Sequence, residues 1–458
     1  MTNDLLREVA RSVLPYGATV DVSNLETRGD DQLESWFDVT GLAKTAIGVA
    51  GLALARYVSE NSNSLPQVIV DSRLSSLWFG FTLWPEGWDL PPSWDPIAGD
   101  YEAKDGWIRL HTNAPHHREA AFSVIGAQSD KDATQIAVSK WAAADLENAI
   151  VAAGGCAAVM HSLEEWCEHP QGQAVARDPL VIWDQHQLVE PQPKEFDSGR
   201  PLKRIRVLDL TRVLAGPVAG RFLAGYGADV LRIDPPNWDE PGVVPEVTLG
   251  KRCAGLNLRM PAELGIFRKL LANADILLHG YRPGALEGLG FGASELRRIN
   301  PRLIDVSLNA YGWNGPWKLR RGFDSLVQMS SGIAEFGKRQ AKSERPVPLP
   351  VQALDHATGY LLAASALHAL SERRASGRVL SARLSLARVA HLLSSTARDA
   401  SGPTFQPLRD ADFSVEVEHT DWGPAHRVNY PLTVGAIKAA WDYGANDLRT
   451  ADATWLQA

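Results

Sequence analysis

A chain of 458 residues with 45% hydrophobic and 22% charged content has room for two or three packed domains and is too apolar for a disordered protein. Its formal charge of −8 argues against a general nucleic-acid binder, because neutralising phosphates needs a basic face. Cys156, Cys167 and Cys253 show neither metal-ligand spacing nor an even framework; this predicts a reducing cytoplasm and no metal site.

The opening MTNDLLREVARSVLPYG has no signal-peptide core, and the run VAGLALARYV is interrupted by arginine, so no membrane span is expected. DVTGLAKTAIGVAGLALARY (38–57) reads as an apolar helix and QVIVDSRLSSLWFG (67–80) as a strand leading into more apolar sequence. GDYEAKDGWIRLHTN (99–113) alternates as a strand pair with Asp105-Gly106 at its turn. In NAPHHREAA, His116 and His117 point different ways on a helix, which suits surface polarity better than a metal. SKWAAADLENAIVAAGG and SLEEWCEHPQGQAVA read as small helices.

EPQPKEFDSGRPLKR (190–204) concentrates proline, glycine and charge, as a linker does. Beyond it, IRVLDL (205–210), DVLRID (229–234), ADILLHGY (274–281) and PRLIDVSLNAYG (301–312) are strand-like, with helical VAGRFLAGYG, GIFRKLLAN and ELRRIN between them. Such alternation predicts an α/β fold: a Rossmann-like, mostly parallel sheet domain, with a smaller α+β domain beside it. Residues 1–190, 191–203 and 204–458 are the expected first part, linker and second part. A dinucleotide reading, with Asp234 as ribose acid, fails on its fingerprint. The turn Leu214-Ala215-Gly216-Pro217 has one glycine and a proline where G-x-G-x-x-G is needed. Walker, H-E-x-x-H and G-x-S-x-G patterns are also absent.

One internal echo stands out. Asp38 opens DVTGLAKTAIGVAGLALAR and Asp355 opens DHATGYLLAASALHALSER; each helix ends in arginine, Arg56 or Arg373, and a strand follows. Three matched features in one order point to a duplicated unit. Local statistics read each aspartate as a helix cap.

The stretches VLDLTRVLAGPVAGRFLAGYGADVLRIDPP, GKRCAGLNLR, HGYRPGALEGLGFG, INPRLIDVSLNAYGWNGP, RRGFDSLVQMSSGIAEFG and VQALDHATGYLLAASALHALSERRASG stand in series over about residues 203–390. Together they resemble the family III CoA-transferases, the CaiB/BaiF group, which includes α-methylacyl-CoA racemase. The resemblance implies that family's fold and an interlocked homodimer, with acyl-CoA as substrate, a carboxylic acid as acceptor and no permanently bound cofactor. It implies that Asp355 attacks the thioester, forming an aspartyl anhydride and then an aspartyl-CoA thioester. Asp324 and His356 are implied near the active site. Leu214 stands where some members carry glutamine. Arg282, Lys251, Arg252, Arg259 and Gly216 are implied contacts of the CoA nucleotide and phosphates. The racemase branch carries a proton-transferring histidine where Phe323 stands, which favours transferase over racemase or epimerase. A catalytically inactive CoA-binding paralogue is the other alternative. Small-domain-like segments precede the nucleotide half, and HTDWGPAHRV (419–428) resembles the returning segment, so the chain reads as a truncated copy fused to a second. Asp38 is then a cap, and one catalytic aspartate remains.

Overall fold

The computed structural model describes residues 2–15, 21–59, 65–127, 129–192, 197, 199–396 and 403–457; the expected linker 191–203 therefore lies partly outside the described residues. The strands of the second part form a seven-stranded sheet ordered Arg252–Gly255, Asp229–Asp234, Arg206–Leu210, Ile276–His279, Ile304–Asn309, Arg378–Ser385, Ile182–Leu188. Neighbours are parallel except at the last pair. In chain order the parallel strands run 3-2-1-4-5-6, the doubly wound arrangement. Helices cover both faces of such a sheet, so its strands are apolar runs such as Val207-Leu208 and Ile276-Leu277-Leu278, all buried. The order reverses between Arg206–Leu210 and Ile276–His279. The crevice beyond their carboxyl ends is where such sheets bind ligands.

The smaller α+β unit is also present. Gly99–Glu102, Trp107–Leu110 and Ala157–Val159 form an antiparallel sheet, with the Asp105-Gly106 turn as expected. Its core includes Ala121, Leu146 and Ile150 from the helices Pro115–Ile125 and Ala143–Ala152. The rest of the first part belongs elsewhere. Helix Val39–Ser59 packs along helix Ala353–Ala375. Strands Leu25–Arg28 and Val68–Asp71, parallel to each other, share a sheet with Leu432–Val434 from the chain's last part. The expected division at 190 is thus crossed twice: Ile182–Leu188 is an edge strand of the main sheet, and Leu432–Val434 joins the first part's sheet.

Two buried ionic clusters reinforce these crossings. Arg73 holds Asp412 through two bonds of 2.9 and 2.6 Å. Glu246 accepts from Thr82 N–H at 2.9 Å and from Arg427 at 3.3 Å, and also pairs with Arg221. Removing one partner from such a buried pair costs about 3–5 kcal/mol, because the remaining charge is stranded. Helix Val39–Ser59 is long and apolar enough to cross a membrane by length and composition alone, and 89% of its apolar window is buried inside the protein. It is apolar all round because the Ala353–Ala375 helix and a sheet enclose it.

Candidate active site

The turn after Arg206–Leu210 starts the site. Val213 has φ 64°, a left-handed conformation strained for a β-branched residue, and its N–H donates to Glu240 Oε2 at 3.0 Å. Glu240 also accepts from Trp238 Nε1 at 3.0 Å and Arg232 at 2.5 Å, so one carboxylate ties the turn after Arg206–Leu210 to the loop after Asp229–Asp234. Helix Ala215–Gly225 follows, with Leu214 at its cap position and no side-chain cap. The Asp355 helix meets this end closely. A Cβ on Gly359 would lie 2.4 Å from the Ala215 carbonyl oxygen, so only glycine permits the approach.

Asp355 lies within the first turn of Ala353–Ala375, while the cap position belongs to Gln352. The local cap reading of Asp355 is thus corrected. Asp38, by contrast, immediately precedes its helix and accepts the Gly41 N–H at 2.8 Å, as a cap should.

Asp324 sits beside Asp355 and accepts the Asp355 backbone N–H at 2.9 Å through Oδ2. Its other oxygen accepts from Gln328, whose own carbonyl takes the Leu349 N–H at 2.7 Å. Burial pushes Asp324 up to about 6, against the lowering effect of those donors. Asp355 is pushed well above the usual carboxylate range, first by burial and then by the Asp324 charge. The two titrate as a pair, and the donors around Asp324 favour leaving the shared proton on Asp355. His356 stacks on Phe79 at 5.4 Å and is pulled down to about 3 by burial and then Arg221, so its ring is neutral.

These groups open into a cavity of about 600 Å³ whose walls come from both parts of the chain. Phe79, Phe81 and Trp94 face it from the first part; Leu214, Trp238 and Phe323 face it from the second. Arg118, also lining it, is paired with buried Asp95. Such an apolar, largely preformed cleft with a few convergent polar groups is the ordinary form of a small-molecule site.

Asp355, Asp324, His356 and Leu214 therefore meet in one cavity. Arg282 is exposed just beyond the strand Ile276–His279, at the switch point. Arg321 lies near enough to lower its pKa, after burial as the larger cause. Arg212, on the same crevice, stacks over Trp238 at 4.6 Å. Three expected CoA contacts are corrected. Lys251 is fully buried and paired with Asp209 at 2.9 Å, where it closes the core behind the turn. Arg252 is spent on Asp229 of the neighbouring strand at 2.9 Å. Gly216 is buried, and a Cβ there would lie 2.2 Å from Thr211, so its small size serves the turn. Arg259 is exposed and is absent from the cavity lining.

Among the described residues no cluster of histidine, cysteine and carboxylate suits a metal. The surface-polarity reading of His116-His117 holds for exposed His116; His117 is buried. Sequence reasoning missed His111, Arg118, Asp95 and Glu240. Of these, His111 follows directly on the strand Trp107–Leu110, a strand-end position that could have been noticed.

The structure thus joins a doubly wound sheet to a buried carboxylate pair in a largely apolar cleft. Residues 202–421 match the profile of CoA-transferase family III. An acyl-CoA transferase from Gibberella moniliformis is 27% identical over 73% of this chain and 66% of its own length. A probable fatty acyl-CoA transferase from Mycobacterium tuberculosis is 34% identical over 40% of this chain and 49% of its own. Succinyl-CoA:glutarate CoA-transferase from Mus musculus is 32% identical over 41% of this chain and 45% of its own. The chain thus spans about half to two thirds of the length of these relatives.

Proposed function

We propose that the protein transfers coenzyme A from an acyl-CoA to a carboxylic acid, with Asp355 as covalent nucleophile. One observation carries the reading: the Asp355 carboxyl lies in a largely apolar cavity beside a second buried carboxyl, against the turn that follows the strand Arg206–Leu210. The mouse relative is named for an acyl-CoA donor and a carboxylate acceptor, and this chain is read in the same class.

The Asp355 oxygen attacks the thioester carbon, and collapse of the tetrahedral adduct expels CoA thiolate and leaves a mixed anhydride. Thiolate then attacks the aspartyl carbonyl, releasing the first acid and giving an aspartyl-CoA thioester. The acceptor carboxylate repeats these steps in reverse. One hard exchange becomes a series of near-isoenergetic acyl transfers. Burial raises the basicity of Asp355, which strengthens it as a nucleophile once ionised. The first-turn position next to a helix N-terminus favours that ionised form by about 0.3–1 kcal/mol. Arg282, with Arg321 and Arg212 nearby, suits the phosphates of CoA, since guanidinium binds phosphate through two oxygens.

Incubation with acyl-CoA followed by hydroxylamine trapping tests this. Modification at Asp355, lost in Asp355→Ala together with CoA exchange, is expected; tight CoA binding with neither adduct nor exchange sinks the reading. A second reading, proton exchange at the acyl α-carbon, has one observation in favour: the His111 ring stacks on Phe323 at 3.7 Å and lines the same cavity. Solvent deuterium entering the α-carbon without acyl exchange would select it.

A further inference from the structure

His111 belongs to the smaller α+β unit, outside the segment 202–421 that matches the family. It is 5% exposed and lines the cavity that holds Asp355. Its ring is clamped. One face stacks on Phe323 at 3.7 Å and 10°, and Trp94 meets it edge-on at 5.9 Å. Its backbone N–H donates to the Cys156 carbonyl at 3.0 Å, and the next residue, Thr112, is bonded to Asp95 at 2.7 Å. The His111 backbone and the neighbouring Thr112 side chain are therefore both held.

Nδ1 is buried without a hydrogen-bond partner, which leaves Nε2 as the nitrogen open to the cavity. Orphaned buried N–H groups are rarer in folded proteins than under-satisfied acceptors, so the tautomer is assigned from this environment. The proton accordingly belongs on Nε2. Burial is the main cause keeping the imidazole neutral, and His117 and Arg109 nearby act in the same direction. The ring therefore presents one uncharged, rigid N–H to the cavity that Asp355 also lines.

We propose that His111 is a further catalytic residue, donating its Nε2–H to the acyl carbonyl oxygen as negative charge develops there. The inference rests on the transferase reading above. When the Asp355 oxygen bonds to the thioester carbon, the C=O π pair moves onto oxygen, and the Nε2–H bond to that oxygen shortens. Collapse returns the pair, breaks the C–S bond and frees the thiolate; His111 keeps its proton throughout. A neutral donor suits this site because an imidazolium would form an ion pair with ionised Asp355 and blunt its attack. A preorganised donor aimed at developing charge is worth about 10²–10³ in rate.

The test is single-turnover acylation of Asp355, quenched with hydroxylamine, in the full-length protein. His111→Leu is expected to slow acylation about 100-fold and to leave CoA affinity within about threefold of wild type. His111→Gln, which returns an amide N–H near the Nε2 position, is expected to recover at least about tenfold of that loss. His111→Leu acylating within threefold of wild type overturns the proposal. Should the leucine variant fail to fold, His111→Gln and His111→Asn decide, because asparagine reaches only the Nδ1 position; equal rates in the two overturn it. Deuterium exchange at the α-carbon that depends on His111 also overturns it, in favour of proton transfer. Wild-type protein giving no Asp355 adduct fails the transferase reading itself, whereas an adduct indifferent to His111 fails only this inference.

Discussion

Asp38 and Asp355 stand at the start of two long apolar helices that lie side by side. Each helix leads into a strand and then a second helix, Ser72–Leu77 in one case and Leu386–Ser395 in the other. Even their far ends are joined. Arg56 of one pairs with Glu372 of the other at 2.9 Å, and Arg374 donates to the Tyr57 carbonyl at 2.6 Å. Yet the acids sit in different surroundings. Asp38 spends an oxygen on the Gly41 N–H, and a Cβ on Gly41 would lie 2.0 Å from that carboxylate. Asp355 has moved into the first turn, beside a like charge and facing a cavity. An acid satisfied by its own helix is a structural group; one buried against another carboxyl holds unspent basicity, which is what nucleophilic chemistry draws on.

The sharpest way to break this contrast is to exchange the two losses. Asp355→Ala should abolish CoA exchange and the trapped adduct, by at least about 10⁴-fold in turnover. Asp38→Asn, which still caps, should stay within about threefold; equal losses from both would end the distinction. Asp324→Asn removes the neighbouring charge that helps raise Asp355. The carboxylate then forms at lower pH, and the acid limb of the acylation rate should move down by about one unit or more, as read from a pH–rate profile.

Stability gives a smaller, opposite signal. A carboxyl whose folded pKa is raised binds its proton more tightly when folded, so stability falls as pH climbs from the ordinary aspartate value through the raised one. Asp355→Asn avoids that loss. It should be more stable than wild type by about 1–3 kcal/mol at neutral pH, with the advantage gone near pH 3 in chemical denaturation. Asp38→Ala should be the mildest, losing about 1 kcal/mol as a cap deletion does, with activity intact in the surviving fold.

Much of this architecture was legible because it is local. IRVLDL, DVLRID and ADILLHGY are short apolar runs bounded by breakers, and their length and flanks mark them as buried strands. Asp105-Gly106 announces its hairpin for the same reason. Residues whose meaning lies in a distant partner were misread. Lys251 looks like a phosphate ligand until Asp209 is found against it, and Arg252 until Asp229 is. Nothing within LHTN tells that His111 will lie on Phe323. For Asp355 the nucleophile reading came from resemblance to a known motif, since its own surroundings in the sequence favoured a cap.

The crossed strands have a further consequence. The first part lends Ile182–Leu188 to the main sheet and accepts Leu432–Val434 into its own, while Arg73 and Asp412 clasp the same two regions. The peptide bonds within 191–203 are therefore only one of several ties between the parts. A protease nick there should leave a single particle with its cavity intact. Two separately made polypeptides, cut at that point, are the natural starting pieces for a split, self-assembling form of the protein.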